Sequence, residues 1–478
     1  MQAVSAFMRF LQRLRTHQVP INIRRHRSQR LARPLHRHTF EPFPPRRFHY
    51  RLSSVPRLHS LPTVNRAGLC LLLSGLLIET SRPALQASDW PQWRGPNQDG
   101  ISLDTGWFAG WPVAGPEPAW SAQVGIGFSS VSVVQGRVFT MGNTTDVDTV
   151  FCLDAATGQV IWSHSYPCPL QPRFYEGGPS ATPTVHEGRV FTFSKKGHLF
   201  AFAAGDGEVI WSRNLREELE LDLPEWSFAG SPVVHGDLII LNAGSAGTAV
   251  HKDTGNIVWT SGRTRSGYAT PVAFEFEGKP AFAIFSAKSL VAVEPETGRV
   301  LWEHPWESPR DINAADPIIS GDKVFIASES GSALLQMRKD RVTVVWQHRN
   351  IMRNYFNPSV LVDGYLYGID GTTHRPTALT CLDFNTGEVQ WSEPNFGSGA
   401  LMAADGKLII LDRGELIIVR ASPDRFTALA RTQVLGGKCW TAPVLSDGAI
   451  YCRNAAGLLV CVALSSVPVP PTRSTGSP

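Results

Sequence analysis

An eleven-residue pattern recurs along this chain and constrains its fold more than any other feature. CLDAATGQVIW runs from Cys152 to Trp162, AVHKDTGNIVW from Ala249 to Trp259, AVEPETGRVLW from Ala292 to Trp302, and CLDFNTGEVQW from Cys381 to Trp391. Each is a small residue, four variable positions, Thr-Gly, three more positions and Trp. AFAAGDGEVIW, ending at Trp211, has Asp206-Gly207 in place of Thr-Gly. QMRKDRVTVVW, ending at Trp346, has lost the glycine, and a copy near Phe426–Ala430 has lost the Trp as well. Trp162 to Trp391 is five steps of roughly 46 residues, a period typical of propeller blades.

Each copy reads as a β-hairpin. Alternating apolar residues such as Val150 and Cys152 lead in, glycine supplies the positive-φ position, and a second strand ends on Trp. The small residue ten positions before the Trp is read as leaving room for a neighbouring indole. Each Trp then docks on the next unit, and truncating one is expected to cost ~3–5 kcal/mol.

The sequence around the hairpins completes the unit. Inner strands carry Pro near their start: SATPTV from Ser180, GSPVV from Gly230, ATPVA from Ala269, ADPII from Ala315, NPSVL from Asn357 and TAPVL from Thr441. Tight Gly turns follow the inner strands at Gly136, Gly188, Gly236, Gly278, Gly321, Gly364, Gly406 and Gly448. Eight turns give eight units of four strands, and the last lacks its fourth strand. Ala119-Trp120-Ser121 is an orphan fourth strand with nothing before it to pair with. The expectation is an all-β, eight-bladed β-propeller of four-stranded antiparallel blades over 119–464, closed by an N-terminal strand. Trp120, Trp162, Trp211, Trp259, Trp302, Trp346 and Trp391 are its docking residues. With 42 Gly and 35 Pro and little helical periodicity, the composition agrees.

Charge is segregated. Residues 1–66 hold 14 Arg, no Lys and one acid, Glu41. The rest has 31 basic and 40 acidic residues, so the folded part is mildly acidic and nucleic acid is not its expected partner. Residues 1–65 read as a disordered basic extension, or as translated sequence upstream of the true start. Residues 66–88 read as an export signal: Arg66, the apolar run Ala67–Ile78 and a small-residue cleavage candidate after Ala87. DWPQWRGPNQDGIS opens an extended lead-in over 89–118, in whose connector Trp107 is expected to matter less than the docking Trp residues. The Pro/Ser-rich tail, 465–478, is expected to be disordered. Cys152, Cys168, Cys381, Cys439, Cys452 and Cys461 form no CxxC or haem motif. Cys152 and Cys381 read as buried small hydrophobes, and Cys452 and Cys461, on neighbouring strands, are near enough in register to pair.

The small-x-x-x-x-Thr-Gly-x-x-x-Trp repeat resembles that of the pyrroloquinoline quinone (PQQ) propeller family, over about Asp89 to Leu464. DWPQWRGPN also looks like the segment that opens such propellers in many secreted bacterial proteins. The resemblance implies one of two activities. Quinoprotein dehydrogenases hold PQQ and Ca²⁺ over the channel and oxidise alcohols or sugars. The β-barrel assembly scaffold lipoprotein has the same propeller, needs no cofactor and binds protein. Fold alone does not choose.

The loops leading into the inner strands carry most of the chemistry: RFYEGG from Arg173, EWSFAG from Glu225, RSGYA from Arg265, RDINAAD from Arg310, RNYFNP from Arg353 and GKCW from Gly437. Their aromatic, Arg and Asn content matches binding hot spots, while packing at the channel mouth is the plainer account of any single residue. Tyr175, Trp226, Tyr268, Arg353, Tyr355 and Trp440 are the expected contacts, with Arg173, Glu176, Asn313 and Asn354 as polar support. A PQQ site would draw on Arg173, Arg310, Arg353, Lys438, Trp226 and Trp440. Its Ca²⁺ would draw on Glu176, Asn313, Asp316 and Asn357, and its base would be a carboxylate such as Asp311. The adjacent-Cys disulfide, haem motif and long covering insertions of many dehydrogenases are missing. The expectation is therefore an exported, monomeric, non-catalytic binding or scaffold protein of the periplasm or cell envelope. It needs no cofactor, and it takes a protein partner or small ligand at the channel mouth. A PQQ- and Ca²⁺-dependent dehydrogenase is the alternative.

Overall fold

The computed structural model describes residues 88–108, 111, 115–339 and 341–466. All lie in the second of the two units into which the chain divides, 78–478. The basic extension, the export signal up to residue 87 and the tail beyond 466 lie outside the described residues.

Eight four-stranded antiparallel sheets follow one another in chain order. Blade 1 comprises Ser132–Val134, Arg137–Thr144, Val147–Asp154 and Val160–Pro167, from inner to outer strand. The inner strands of blades 2 to 8 are Thr184–His186, Val233–His235, Val272–Phe276, Ile318–Ser320, Val360–Val362, Ala400–Ala404 and Val444–Ser446. Trp120–Gln123 is the outer strand of blade 8, with Trp120 opposite Cys461. The expected closure is therefore the observed one. Trp107–Phe108 also pairs with Ser465–Ser466, so the strand region runs two residues past Leu464. The six described cysteines are all unpaired and buried, Cys452 and Cys461 included.

Second and third strands are buried on both faces because a blade lies on either side; Val138–Asn143 and Leu408–Asp412 contain no exposed residue. Outer strands behave differently. In blades 1 to 7 the outer hairpin slips register by one residue, just after the small residue in blades 1 to 4 and 6, as at Cys152/Leu153, and after Leu334 and Ile418 in blades 5 and 7. This bulge turns two successive residues outward and the next inward. Val160 and Ile161 are 55% and 44% exposed, while Trp162 is 7% exposed.

The indole does dock on the next blade, but glycine, not the small residue, makes the room. Cys152 lies opposite Trp162 of its own blade, and Ala292 opposite Trp302. A Cβ on Gly158 would stand 2.5 Å from the Trp120 ring, and one on Gly298 2.5 Å from that of Trp259. Each indole N–H then donates to a carbonyl of the same neighbouring hairpin: Trp120 to Ala155 at 2.8 Å, Trp162 to Ala204 at 3.1 Å, Trp259 to Pro295 at 2.7 Å. Blade 5 has lost the glycine, and the Trp302 N–H that faces it has no partner among the described residues.

A second set of bonds ties the blades nearer the axis. The residue before the inner-strand proline offers a side-chain oxygen to the backbone N–H of its counterpart one blade back. Ser130 N–H donates to Thr182 Oγ1 (3.2 Å), Thr182 N–H to Ser231 Oγ (2.9 Å), Ser231 N–H to Thr270 Oγ1 (3.0 Å) and Thr270 N–H to Asp316 Oδ1 (2.7 Å). At the seam between blades 8 and 1, the buried Arg453 guanidinium donates to the carbonyls of Ser129 (2.7 Å), Met141 (2.6 Å) and Gly125 (2.9 Å). Burial pulls its pKa down to about 9.

The lead-in is folded inside the channel. Trp90 exchanges both backbone bonds with Val133 of blade 1, and Val185 of blade 2 donates to Pro91 O. The chain turns at Arg94–Asp99 and returns as Ile101–Ser102, parallel to Ala403–Ala404 of blade 7. Asp104 then accepts from Gly448 N–H in the inner turn of blade 8. At the tip, Arg94 Nη2 reaches Ser359 O of blade 6 (3.1 Å) and Trp93 Nε1 reaches Asp316 Oδ2 of blade 5 (2.5 Å). The void left beside this hairpin is about 20 Å³, room for about one water. Residues 88–104 thus plug the channel, a role that an extended lead-in did not suggest.

Two expectations follow. Gly298→Ala combines an unfavourable backbone (φ +68) with the 2.5 Å clash, for about 2–4 kcal/mol in all. Gly278→Ala, at φ +73 with nothing within 4 Å, should cost about 1 kcal/mol; denaturant melts of the two variants test the difference. Trp107 is 1% exposed, with Lys407 Nζ 4.6 Å from its ring centre. Contrary to the sequence expectation, Trp107→Ala should destabilise as much as Trp162→Ala, by ~3–5 kcal/mol.

Candidate functional site

The loops leading into the inner strands converge over the plug and enclose a funnel of about 470 Å³. Trp93, the tip of the plug, lines it together with Asp316. Its aromatic wall is nearly continuous. Tyr175 meets Phe128 (ring centres 5.5 Å apart), Phe128 stacks on Trp440 (5.6 Å), Trp440 on Phe356 (4.9 Å) and Phe356 on Tyr355 (4.2 Å). Trp226 and Tyr268 (6.2 Å) form a second patch. Four cations lie over these rings: Lys438 Nζ is 4.4 Å from the Trp440 ring centre, Lys195 Nζ 4.7 Å from that of Tyr175, the Arg310 guanidinium 5.7 Å from that of Trp226 and the Arg173 guanidinium 5.8 Å from that of Phe174. Contacts of this kind hold a cation against an aromatic face.

Five expected contacts therefore come together in the lining: Tyr175, Trp226, Tyr268, Tyr355 and Trp440. Arg173 and Glu176 stand beside it. Arg173 pairs with Glu225 at 2.7 Å and its carbonyl accepts from Trp226 Nε1, while Glu176 pairs with Lys438 at 2.8 Å. The other three hold the loops from behind. Arg353 is tied to Asp370, Nε to Oδ1 at 3.0 Å. Asn354 donates to Ile369 O (3.1 Å) and accepts from Ser359 Oγ (2.8 Å). Buried Asn313 donates to the carbonyls of Ser286 (2.9 Å) and Ala287 (3.1 Å). Phe128, Phe174, Phe356 and Trp93 complete the aromatic part of the lining beyond the expected contacts. Phe174 and Phe356 sit inside loops already marked by composition. Trp93 had no local signal, because its partner Asp316 is 223 residues away.

Backbone strain collects on these loops. Phe174 (φ 63), Ser227 (φ 66), Arg310 (φ 58) and Asp311 (φ 56) hold left-handed conformations without being glycine. Such strain concentrates at ligand clamps. Phe174 is also 82% exposed. Burial pushes the Tyr268 phenol up to about 12 and those of Tyr175 and Tyr355 upward as well. All three are neutral hydroxyls at pH 7. Burial likewise pushes the Asp316 carboxyl up to about 6, against the pull of Arg94 and of the bonds from Trp93 and Thr270.

The fold and funnel define a PQQ-type repeat propeller whose channel ends in a blind mouth. A family model described as outer membrane protein assembly factor BamB matches residues 105–223 and 149–393, more than half of the chain, and the chain belongs to that family. An outer membrane protein assembly factor BamB of Shewanella oneidensis is 24% identical over 377 residues, covering 73% of this chain and 89% of its own. Among solved structures, BamB from Moraxella catarrhalis matches with a TM-score of 0.54 at 12% identity, over 72% of this chain and 99% of that one. Quinohemoprotein alcohol dehydrogenase from Comamonas testosteroni matches at 0.61 and 15% identity, over 80% and 82%. These likenesses between structures concern the fold.

The residues do not fit PQQ and Ca²⁺. Calcium takes roughly six to eight oxygen ligands. Of the four candidates, Glu176 is paired with Lys438, and Asn313 is turned to backbone carbonyls behind the wall. The Asn357 amide spends its N–H groups on Gly399 O and Trp440 O and keeps a single oxygen, Oδ1, and Asp316 is bound by Trp93 and Thr270, so the set falls short of calcium's oxygen count. Among the described residues, no three His, Cys, Asp or Glu side chains gather as a metal site. Of the four cations that would meet the quinone carboxylates, Arg173, Arg353 and Lys438 each already hold a carboxylate, and only Arg310, over the Trp226 ring, pairs with none among the described residues. Asp311 is not part of the lining.

A pH dependence follows from Asp316. Its pKa rises from 3.8 unfolded to about 6 folded, so between these values the folded state binds more protons. The contribution of Asp316 to stability should fall by ~3 kcal/mol as pH rises from about 4 to about 6, then level off. Asp316→Asn should flatten that slope relative to the wild type in denaturant titrations at successive pH values. It should also lose a pH-independent ~1 kcal/mol, because one amide oxygen cannot accept from both Trp93 and Thr270.

Proposed function

We propose that this chain is an exported, non-catalytic binding and scaffold propeller of the cell envelope that engages a protein partner across the aromatic mouth. One observation carries the reading. The mouth presents a half-buried aromatic wall with the exposed, strained Phe174 at its rim, while Arg173, Glu176 and Lys438 beside it are paired with carboxylates or cations of their own. Such a surface recognises by burial of aromatic anchors within a polar rim. The family supports the same reading, since its relatives are named as assembly factors. The dehydrogenase alternative asks for a cation-rich quinone cradle and a convergent set of oxygen donors, and most of the side chains that would supply them are committed elsewhere.

A photo-crosslinking residue at Phe174, in the full chain expressed in a bacterial envelope, should give discrete protein adducts. The same residue at Glu277, in an inner turn on the opposite face, should give none. Adducts of equal yield from both positions would sink the reading. So would reduction of an artificial electron acceptor by purified protein supplied with PQQ, Ca²⁺ and an alcohol.

A further inference from the structure

We propose that the funnel is a saccharide site: it holds neutral pyranose rings against its aromatic facets, with their hydroxyl groups on the polar floor, and does not oxidise them. This rests on the reading of the mouth as a binding surface and assigns it a ligand class. The wall comes first. Adjoining rings meet at 27° (Phe128 and Trp440), 34° (Phe356 and Trp440) and 59° (Trp226 and Tyr268). The funnel is therefore faceted, not one flat slot for a planar aromatic. An aromatic face carries negative quadrupole charge. The C–H-rich face of a pyranose, whose hydrogens are slightly positive, complements it.

The floor comes second. Ser231 and Thr270 line the cavity, and each hydroxyl oxygen accepts one backbone N–H, from Thr182 and Ser231 respectively. Neither hydroxyl proton has an acceptor among the described residues, so each remains a donor. Ser180, also in the lining, makes no hydrogen bond there through its side chain. Asn357 spends its N–H groups on Gly399 and Trp440 and keeps Oδ1 as an acceptor. Donors interleaved with acceptors suit a ligand whose groups do both, and sugar hydroxyls do.

Lys438 is paired with Glu176, while Arg310 lies over the Trp226 ring with no carboxylate partner among the described residues. Backbone disfavours an extended peptide strand inside the funnel, as distinct from a folded partner at its rim. An extended peptide needs free main-chain donors and acceptors to pair with. The N–H groups of Ser130, Thr182, Ser231 and Thr270 are spent between blades. Those of Tyr268 and Ala269 are bound to Asn313 O. At about 470 Å³ the funnel is in the size range of small-molecule sites and has room for a disaccharide.

The test uses the full chain and two neutral disaccharides, cellobiose and N,N′-diacetylchitobiose, followed by tryptophan fluorescence and calorimetry. At least one should bind saturably. Trp226→Ala should weaken it by about tenfold or more, and Ser180→Ala, which removes no bond of the fold, should weaken it several-fold. Glu277→Ala on the opposite face should change nothing, and circular dichroism should show each variant folded. The proposal is overturned if neither disaccharide binds, or if Trp226→Ala and Ser180→Ala both bind as the wild type does. Loss of sugar binding with Phe174 crosslinks intact removes this proposal alone. Loss of the crosslinks with sugar binding intact removes only the protein-scaffold reading.

Discussion

The structure depends on one contact made again and again: an indole laid flat on the glycine of the next blade, with its N–H on a carbonyl of the same hairpin. The contact couples three sequence requirements. Glycine is needed because any Cβ would enter the ring, as the 2.5 Å approach at Gly158 shows. Trp is needed because no smaller ring fills the gap and also donates. The bulge is needed because strict alternation would turn the indole to solvent. Blades 5 and 7 both lack the glycine: the Trp302 N–H that faces blade 5 has no partner among the described residues, whereas Trp391 still donates to Ser422 O of blade 7 at 2.9 Å.

Closing a ring of such contacts adds a constraint that no single blade can meet. The last blade must offer its Trp to the first, and that Trp comes from the other end of the sequence. Trp120 on Gly158 is the same contact as Trp259 on Gly298, made between chain ends. Arg453 adds a buried guanidinium whose Nη groups donate to carbonyls on blade 1 and the segment before it, while its Nε has no partner among the described residues. Removing its partners would leave a buried charge, so the seam is costly to open. The plug strengthens the same logic. By bonding to blades 1, 2, 5, 6, 7 and 8 from the inside, it makes the channel a core and leaves a funnel only at one end.

Periodicity made the fold legible, because a period of about 46 residues with a Trp marks local hairpins and their stacking. The missing fourth strand of the last unit made closure legible too. The site was legible in composition but not in orientation. Tyr355 and Asn354 are adjacent in sequence, yet one lines the funnel and the other is bound to Ile369 behind it. Neighbours in a loop point in different directions, and only the fold decides which faces inward. Arg353 looked like an anion partner and is held by Asp370, a pairing across 17 residues that spacing alone does not reveal. Trp93 was the hardest to see. Its role comes from contacts with blades hundreds of residues away, and Trp-Arg-Gly-Pro in isolation reads as a turn.

What separates a binding propeller from a catalytic one on this scaffold is where the polar atoms are spent. The belt of hydroxyls and carboxylates before the inner prolines is part of the architecture: it satisfies backbone donors that would otherwise be buried without partners. In this chain Asp316 ends that belt and is also bound by Trp93, so the one carboxylate in the lining is a structural acceptor before it is anything else. Asn313, Arg353 and Asn354 are likewise consumed in fixing loop shape. The loops they fix, strained at Phe174, Ser227, Arg310 and Asp311, hold aromatic faces open to solvent. The cost of ordering these loops has already been met in folding, which is the condition that the proposed recognition of a partner at the mouth requires.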